Sequence, residues 1–157
     1  MNALQSLHNG SLTGKREQSI YTPQSIVDAL LRLWTEGIAC DPCPGEGGSI
    51  VPAAVTCEDG LVWPCWPRRT YVNPPYDDLK PWIERFERSW ECVLLTPVRT
   101  HRKWWRPLLA DHYLRCWLNP VKFIGYAQTF PAPLVLVYNG NRGGAFDKAF
   151  KELGDVV

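Results

Sequence analysis

The sequence predicts an open α/β sheet. Strand-like apolar runs alternate with segments of helical spacing, the arrangement of a sheet with helical crossovers. The runs "CVLLTP" and "PLVLVYNG" have the near-continuous apolarity of buried strands. Two earlier runs end abruptly, in "DPCPGEGG" and in "NPPY", loops whose glycines and prolines fix the backbone rather than extend it.

Taken in order, residues 1–19 read as a polar, flexible arm, and residues 20–157 as a single domain without a separate target-recognition domain. "YTPQSIVDALLRLWTEG" carries the punctuation of a helix: Thr22 as N-cap, Pro23 at the first helical position and Gly37 just past the end. Ile26, Val27, Leu30, Leu31 and Trp34 recur at helical spacing and form its apolar face. A short strand, "GIAC", follows. Ser49 to Val55 reads as a helical turn or two, limited by Pro52, and residues 56–69 as irregular. Then come strand "TYVN" and a helix from about Asp78 to Trp90, with Asp77 or Asp78 as cap and Pro81 in its first turn. "HRKWWRPLLA" reads as helical in its first part, "LRCWLN" and "PLVLVYN" as a hairpin-like pair of strands, and Ala145 to Leu153 as a closing helix.

Composition narrows the function. With 17 Lys plus Arg against 16 Asp plus Glu, the chain as a whole is no generic polyanion binder, so any nucleic-acid contact comes from a local patch. Neither a signal peptide nor a run of about 20 apolar residues is present, which predicts a reduced, cytoplasmic protein with free thiols. Cys40 and Cys43 have CxxC spacing, but Cys57 and Cys65 make no second close pair and no histidine lies near them. No metal site is expected.

The two corners carry the chemistry. Ligands of open α/β sheets bind beyond the carboxyl ends of strands, where the strand order reverses. In "DPCPGEGG", Asp41 ends a strand and Gly45 and Gly47 leave a loop that a ligand can approach closely. The loop has neither the Gly-Lys-Ser/Thr ending nor the glycine spacing of a phosphate site. An anionic neighbour without a phosphate cradle suits a cationic small molecule such as S-adenosylmethionine. In "NPPY", Asn73 offers a side-chain oxygen and Pro74 a backbone carbonyl, and the two prolines hold both acceptors in place. Aimed at the two N–H bonds of an exocyclic amine, they favour a pyramidal, nucleophilic nitrogen. Tyr76 supplies a flat ring for the base that carries the amine, which inside a duplex must first be flipped out.

The run "YTPQSIVDALLRLW…DPCPGEGG…EDGLVW…YVNPPYDDLKPWIE…VLLTPVRTHRKWW…KFIG…APLVLV" resembles the compact phage-type DNA N6-adenine methyltransferases over roughly residues 20 to 140. The resemblance implies a minimal Rossmann-like, S-adenosylmethionine-dependent methyltransferase fold, encoded by a phage or its bacterial host, that methylates adenine N6 in DNA. It assigns catalysis to Asn73, Pro74, Pro75 and Tyr76, and S-adenosylmethionine binding to Tyr21, Thr22, Pro23, Asp41, Pro42, Cys43, Gly45, Gly47, Asp59 and Asn73. Glu58 and Asp59 are the acids in the interval where larger relatives bind the ribose hydroxyls, and Asp59, in "DGL…W", is preferred for that role. Only 32 positions separate Asp41 from Asn73, where a full methyltransferase sheet would fit two further strands; the sheet is expected to be trimmed there. DNA contact falls to Arg99, His101, Arg102, Lys103, Trp104 and Arg106, basic residues interleaved with the indoles of Trp104 and Trp105. Lys15–Arg16 and Arg68–Arg69 extend that surface. The same corner serves amino-methyltransferases of cytosine N4, RNA or protein glutamine, and a non-catalytic nucleic-acid-binding module is a further alternative.

Overall fold

The computed structural model describes residues 21–45, 50–57, 59–124 and 127–157. The expected arm (1–19), with Lys15–Arg16, and Gly47 lie outside these residues. The chain builds an α/β fold from a seven-stranded mixed sheet and, among the described residues, three α-helices. Helix α1 is Gln24–Leu33, followed by β1 (Ile38–Asp41), β2 (Ala53–Thr56) and β3 (Thr70–Val72). Helix α2 (Lys80–Arg88) leads to β4 (Cys92–Pro97), a 3-10 turn (Arg106–Leu109) and β5 (Leu114–Leu118). Strand β6 (Leu134–Asn139), helix α3 (Gly143–Phe150) and β7 (Gly154–Val156) complete the chain.

The strands lie in the order β2-β1-β3-β4-β6-β5-β7. The first four are parallel, and β4, β6, β5 and β7 pair antiparallel. Every residue of β4 and β6 is buried, as their apolar sequences require. Helix α1 buries Ile26, Val27, Ala29, Leu30 and Leu33 and packs beside α3, where the Arg32 guanidinium donates to the Ala149 carbonyl at 3.1 Å. Helix α2 buries Trp82, Ile83 and Phe86; Trp82 meets Trp66, and Phe86 meets Tyr113.

Four local expectations are corrected. Residues 53–56 form a strand rather than a helical turn, because β1 offers them a parallel ladder just after Pro52. Thr22 does not cap α1: Pro23 is the cap residue, its carbonyl takes the N–H groups of Ile26 and Val27, and the Thr22 hydroxyl is engaged elsewhere. Neither Asp77 nor Asp78 caps α2, which starts after Leu79 without a side-chain cap. The basic segment after β4 makes turns through residue 105 and becomes 3-10 only at Arg106, since Pro107 has no N–H to give. Strand β7, absent from the sequence reading, pairs with the outer edge of β5. Among the described residues, no helix is long and apolar enough to cross a membrane.

Candidate functional site

Strands β1 and β3 are parallel neighbours, and the chain leaves them in opposite directions across the sheet, outward to β2 from one and outward to β4 from the other. Such a reversal opens a crevice at the carboxyl ends of the two strands. Both predicted corners lie at that crevice.

On the β1 side, Asp41 is 4% exposed, and its Oδ1 accepts the Cys43 N–H at 3.0 Å, folding the chain back as it leaves the sheet. Gly45 has φ of +83°, a conformation side chains resist. Pro42 is buried against a second turn: a Cβ on Gly60 would come within 2.4 Å of the Pro42 carbonyl oxygen. Asp59 sits in that turn, exposed, with Oδ1 taking the Leu61 N–H at 3.1 Å. The turn therefore abuts the Asp41 loop, and the Asp59 carboxylate shapes it.

On the β3 side, Asn73, Pro74, Pro75 and Tyr76 are all buried. Asn73 is 2% exposed, and neither its Oδ1 nor its Nδ2 has a hydrogen-bond partner among the described residues. Each buried polar atom left so costs about 1–3 kcal/mol, and few native groups bear it without a purpose. A narrow pocket of about 10 Å³ lies between the corners. Tyr21, Thr22, Asp41, Cys43 and Asn73 line it, as the sequence proposed for the cofactor, together with Pro44, Ile50, Val51 and Tyr71. Pro23, Pro42, Gly45 and Asp59 stand outside the lining.

Tyr71 was missed by the sequence reading. Its hydroxyl hydrogen-bonds the Thr22 hydroxyl at 2.9 Å, tying the segment ahead of α1 to the site strand. Strand alternation could have revealed it, because Tyr71 lies two positions before Asn73 and so shares its face. The Ile124 N–H donates to the Tyr21 carbonyl at 3.2 Å, which brings residues 122–124 to the same rim.

No family model, characterised protein or solved structure matches this chain. What it does must be argued from the site itself.

Tyr76 is only 7% exposed. Phe130 meets it edge-to-face, with centroids 5.6 Å apart and planes at 80°, and Phe123 backs Phe130 at 5.7 Å and 87°. The ring expected to stack on a base is thus buried, with another ring against it. Phe123 and Phe130 were missed as well, for each approaches the corner only through the tertiary fold.

The basic segment emerges from β4, beside β3. Arg99 is half-buried and within electrostatic reach of Arg102, Asp77 and Tyr76; burial, then the Arg102 charge, lowers its pKa. His101, Arg102, Lys103 and Arg106 are exposed, and Arg106 Nε donates to the Thr100 carbonyl at 2.9 Å. Trp104 is half-buried. Trp105 is fully buried, its indole N–H donating to Thr96 Oγ1 at 3.3 Å, so it is a core residue and no platform for bases. Arg69 donates to the Gly37 carbonyl at 2.9 Å from the amino end of β3, the end away from Asn73; with Arg68 beside it, that pair does not extend the surface at the corner.

All six cysteines are free thiols. Burial raises the pKa of Cys40 to about 11, that of Cys116 to about 12, and that of Cys92 well above the usual thiol range. These three stay protonated at neutral pH and are poor nucleophiles. Among the described residues, no group of three or more His, Cys, Asp or Glu side chains is placed to hold a metal ion.

Proposed function

We propose that this protein transfers a methyl group from S-adenosylmethionine to the exocyclic N6 amine of adenine in DNA, on a trimmed Rossmann-like methyltransferase sheet, in a phage-infected or bacterial cell. The observation that carries the reading is the Asn73 side chain: a buried amide with neither polar atom satisfied among the described residues, held by two prolines at the point where the strand order reverses. Such a group is preorganised for a polar partner that arrives from outside the fold.

The sheet supports the reading. From the centre the chain winds outward through β1 and β2, then outward the other way through β3 and β4, as in doubly wound sheets. Only β2 intervenes between β1 and β3 among the described residues, so the wing beyond β1 is one strand wide. The residues present fit S-adenosylmethionine in kind: Asp41, an acid among the residues that line the pocket, suits a cationic ligand, Thr22 and Tyr71 add hydroxyls, and Gly45 permits close approach of backbone. At about 10 Å³ the pocket is far smaller than the roughly 300–1,000 Å³ of common ligand sites, so its rim would have to part to admit the cofactor, which implies modest affinity.

When bound, S-adenosylmethionine would supply an electrophilic methyl group, its S–CH3 bond breaking to leave a neutral thioether as the amine nitrogen bonds the carbon, with the nitrogen's proton passing to solvent afterwards. The chain's part is positional. Asn73 Oδ1 and the Pro74 carbonyl accept the two amine N–H bonds and direct the nitrogen lone pair toward the pocket, and Tyr76 bears the face of the base. Arg99, Arg102, Lys103 and Arg106 hold the flanking phosphates. A non-catalytic nucleic-acid-binding module is the second reading, favoured by the small size of the pocket.

The test is methyl transfer from isotopically labelled S-adenosylmethionine to unmethylated DNA, with the product digested to nucleosides and read by mass spectrometry. We expect labelled N6-methyladenine, reduced at least about 100-fold in Asn73→Ala, the loss typical of removing one transition-state contact. Label on cytosine would keep the mechanism and change the base. Label on RNA or protein alone would change the substrate class. No label, with no cofactor binding, would leave the binding module.

A further inference from the structure

We infer that Phe130 is a gate on the base-stacking face of Tyr76, closed in this structure, and that its ring opens into the groove beside it. The inference rests on the methyl-transfer reading and deepens it, since it concerns how the acceptor base gains its seat.

Three features place the gate. Tyr76 is 7% exposed, too little for a flat base to lie on it, and the Phe130 ring stands against it at 5.6 Å and 80°, the partly exposed neighbour that can move aside. Phe130 is itself partly exposed, and its backbone is pinned: its N–H donates to the Val121 carbonyl at 2.6 Å, and Pro131 follows directly. A fixed backbone with a surface ring moves by side-chain rotation between staggered rotamers, on a timescale far shorter than a catalytic turnover. Finally, Phe123 is 1% exposed and blocks retreat on one side, whereas the other side borders a mostly apolar groove of about 240 Å³ lined by Leu118, Asn119, Val121, Pro131, Pro133 and Leu134. An apolar groove can receive the ring with little loss of its burial.

The closed ring covers Tyr76 with an aromatic surface when no base is present. An incoming base replaces one aromatic contact with another, whereas a sugar or phosphate offers no such exchange. The fraction of molecules in the open state multiplies the apparent affinity for the acceptor, so the gate weakens binding and selects for flat rings.

The test uses the full chain and two readouts. In the first, hydroxyl-radical footprinting resolved by mass spectrometry follows modification of Tyr76 in wild type, Phe130→Ala and the milder Phe130→Leu. In the second, steady-state methylation of unmethylated DNA gives KM and kcat, alongside the Kd for S-adenosylmethionine. We expect Tyr76 labelling to rise several-fold in Phe130→Ala, KM for DNA to fall several-fold, and the cofactor Kd to hold. Ala132→Trp, which fills the receiving groove, should raise KM in the wild-type background and leave it unchanged when Phe130 is already alanine. Unchanged Tyr76 labelling in both Phe130 variants would overturn the gate. A rise of KM in Phe130→Ala would also overturn it, making Phe130 a fixed wall of the base site. Were labelling to rise in a protein that methylates nothing, the cover would be real and the methyl-transfer reading would fall, taking the gate's purpose with it.

Discussion

Gly60 shows how much of the site depends on a missing side chain. Its Cα faces Pro42 so closely that a methyl group there would overlap both the Pro42 ring and its carbonyl oxygen. The backbone must therefore move in Gly60→Ala, and backbone yields less readily than the end of a flexible side chain. We expect the substitution to destabilise the fold by about 1–3 kcal/mol, the usual cost of overpacking, read as a lower urea midpoint at unchanged slope. Because the displaced residue follows Asp41 directly, cofactor affinity should fall along with stability. The sequence disclosed part of this site and withheld part. Asn73, Asp41 and Gly45 were legible because two prolines, a strand-ending acid and a glycine each restrict the backbone locally. The cover of Phe130 over Tyr76 and the bond from Thr22 to Tyr71 were not legible, for each joins residues far apart in the chain that meet only once the sheet has formed.

Among the elements, α1, α3 and β4 are bound together by an ionic cluster at their ends. Arg142, at the start of α3, forks onto both carboxylate oxygens of Glu36, just past α1, at 2.8 and 3.0 Å. Its Nε also lies 3.4 Å from Glu91, a 2% exposed carboxylate that accepts hydrogen bonds from the Trp34 indole and the Tyr138 hydroxyl. The hydrogen bond from Arg142 holds the Glu36 pKa down to about 2, from an ordinary 4.5. Between those values the unfolded chain binds the proton more readily than the folded one. The pair's contribution is thus fully present above about pH 4.5 and is lost as pH falls toward 2. Glu36→Gln should unfold at lower urea than wild type at neutral pH, with the gap closing across that window; a gap independent of pH would refute the assignment. The contribution is small, because both side chains are more than a third exposed. Element boundaries divide in legibility along similar lines. Strands β4 and β6 announce themselves by apolar runs, whereas β2 and β7, "AAVT" and "GDV", have no intrinsic strand signal and exist because β1 and β5 offer them hydrogen bonds.

At the scale of the molecule, near-neutral charge leaves the segment after β4 as a concentrated basic feature beside the strand that carries the Asn73 corner, among the described residues. If it carries phosphate contacts, charge removal there should weaken binding almost equally for every DNA sequence. Arg102→Gln and Lys103→Gln, both exposed and away from the core, should each reduce the slope of log affinity against log salt by about 1, with thermal stability unchanged. A slope that stays put in both variants would move the DNA path elsewhere. The order of strands has one more consequence. Strand β2 forms a rim of the sheet, three of its four residues are exposed, and none is charged. Rims of this kind are where separate molecules zip together into aggregates, and natural proteins usually guard them with lysines. Here the guard is brevity, a rim of four residues, with Pro52 ahead of it unable to donate to a visiting strand. The narrowing of the sheet beyond β1 thus also shortens the edge it leaves open.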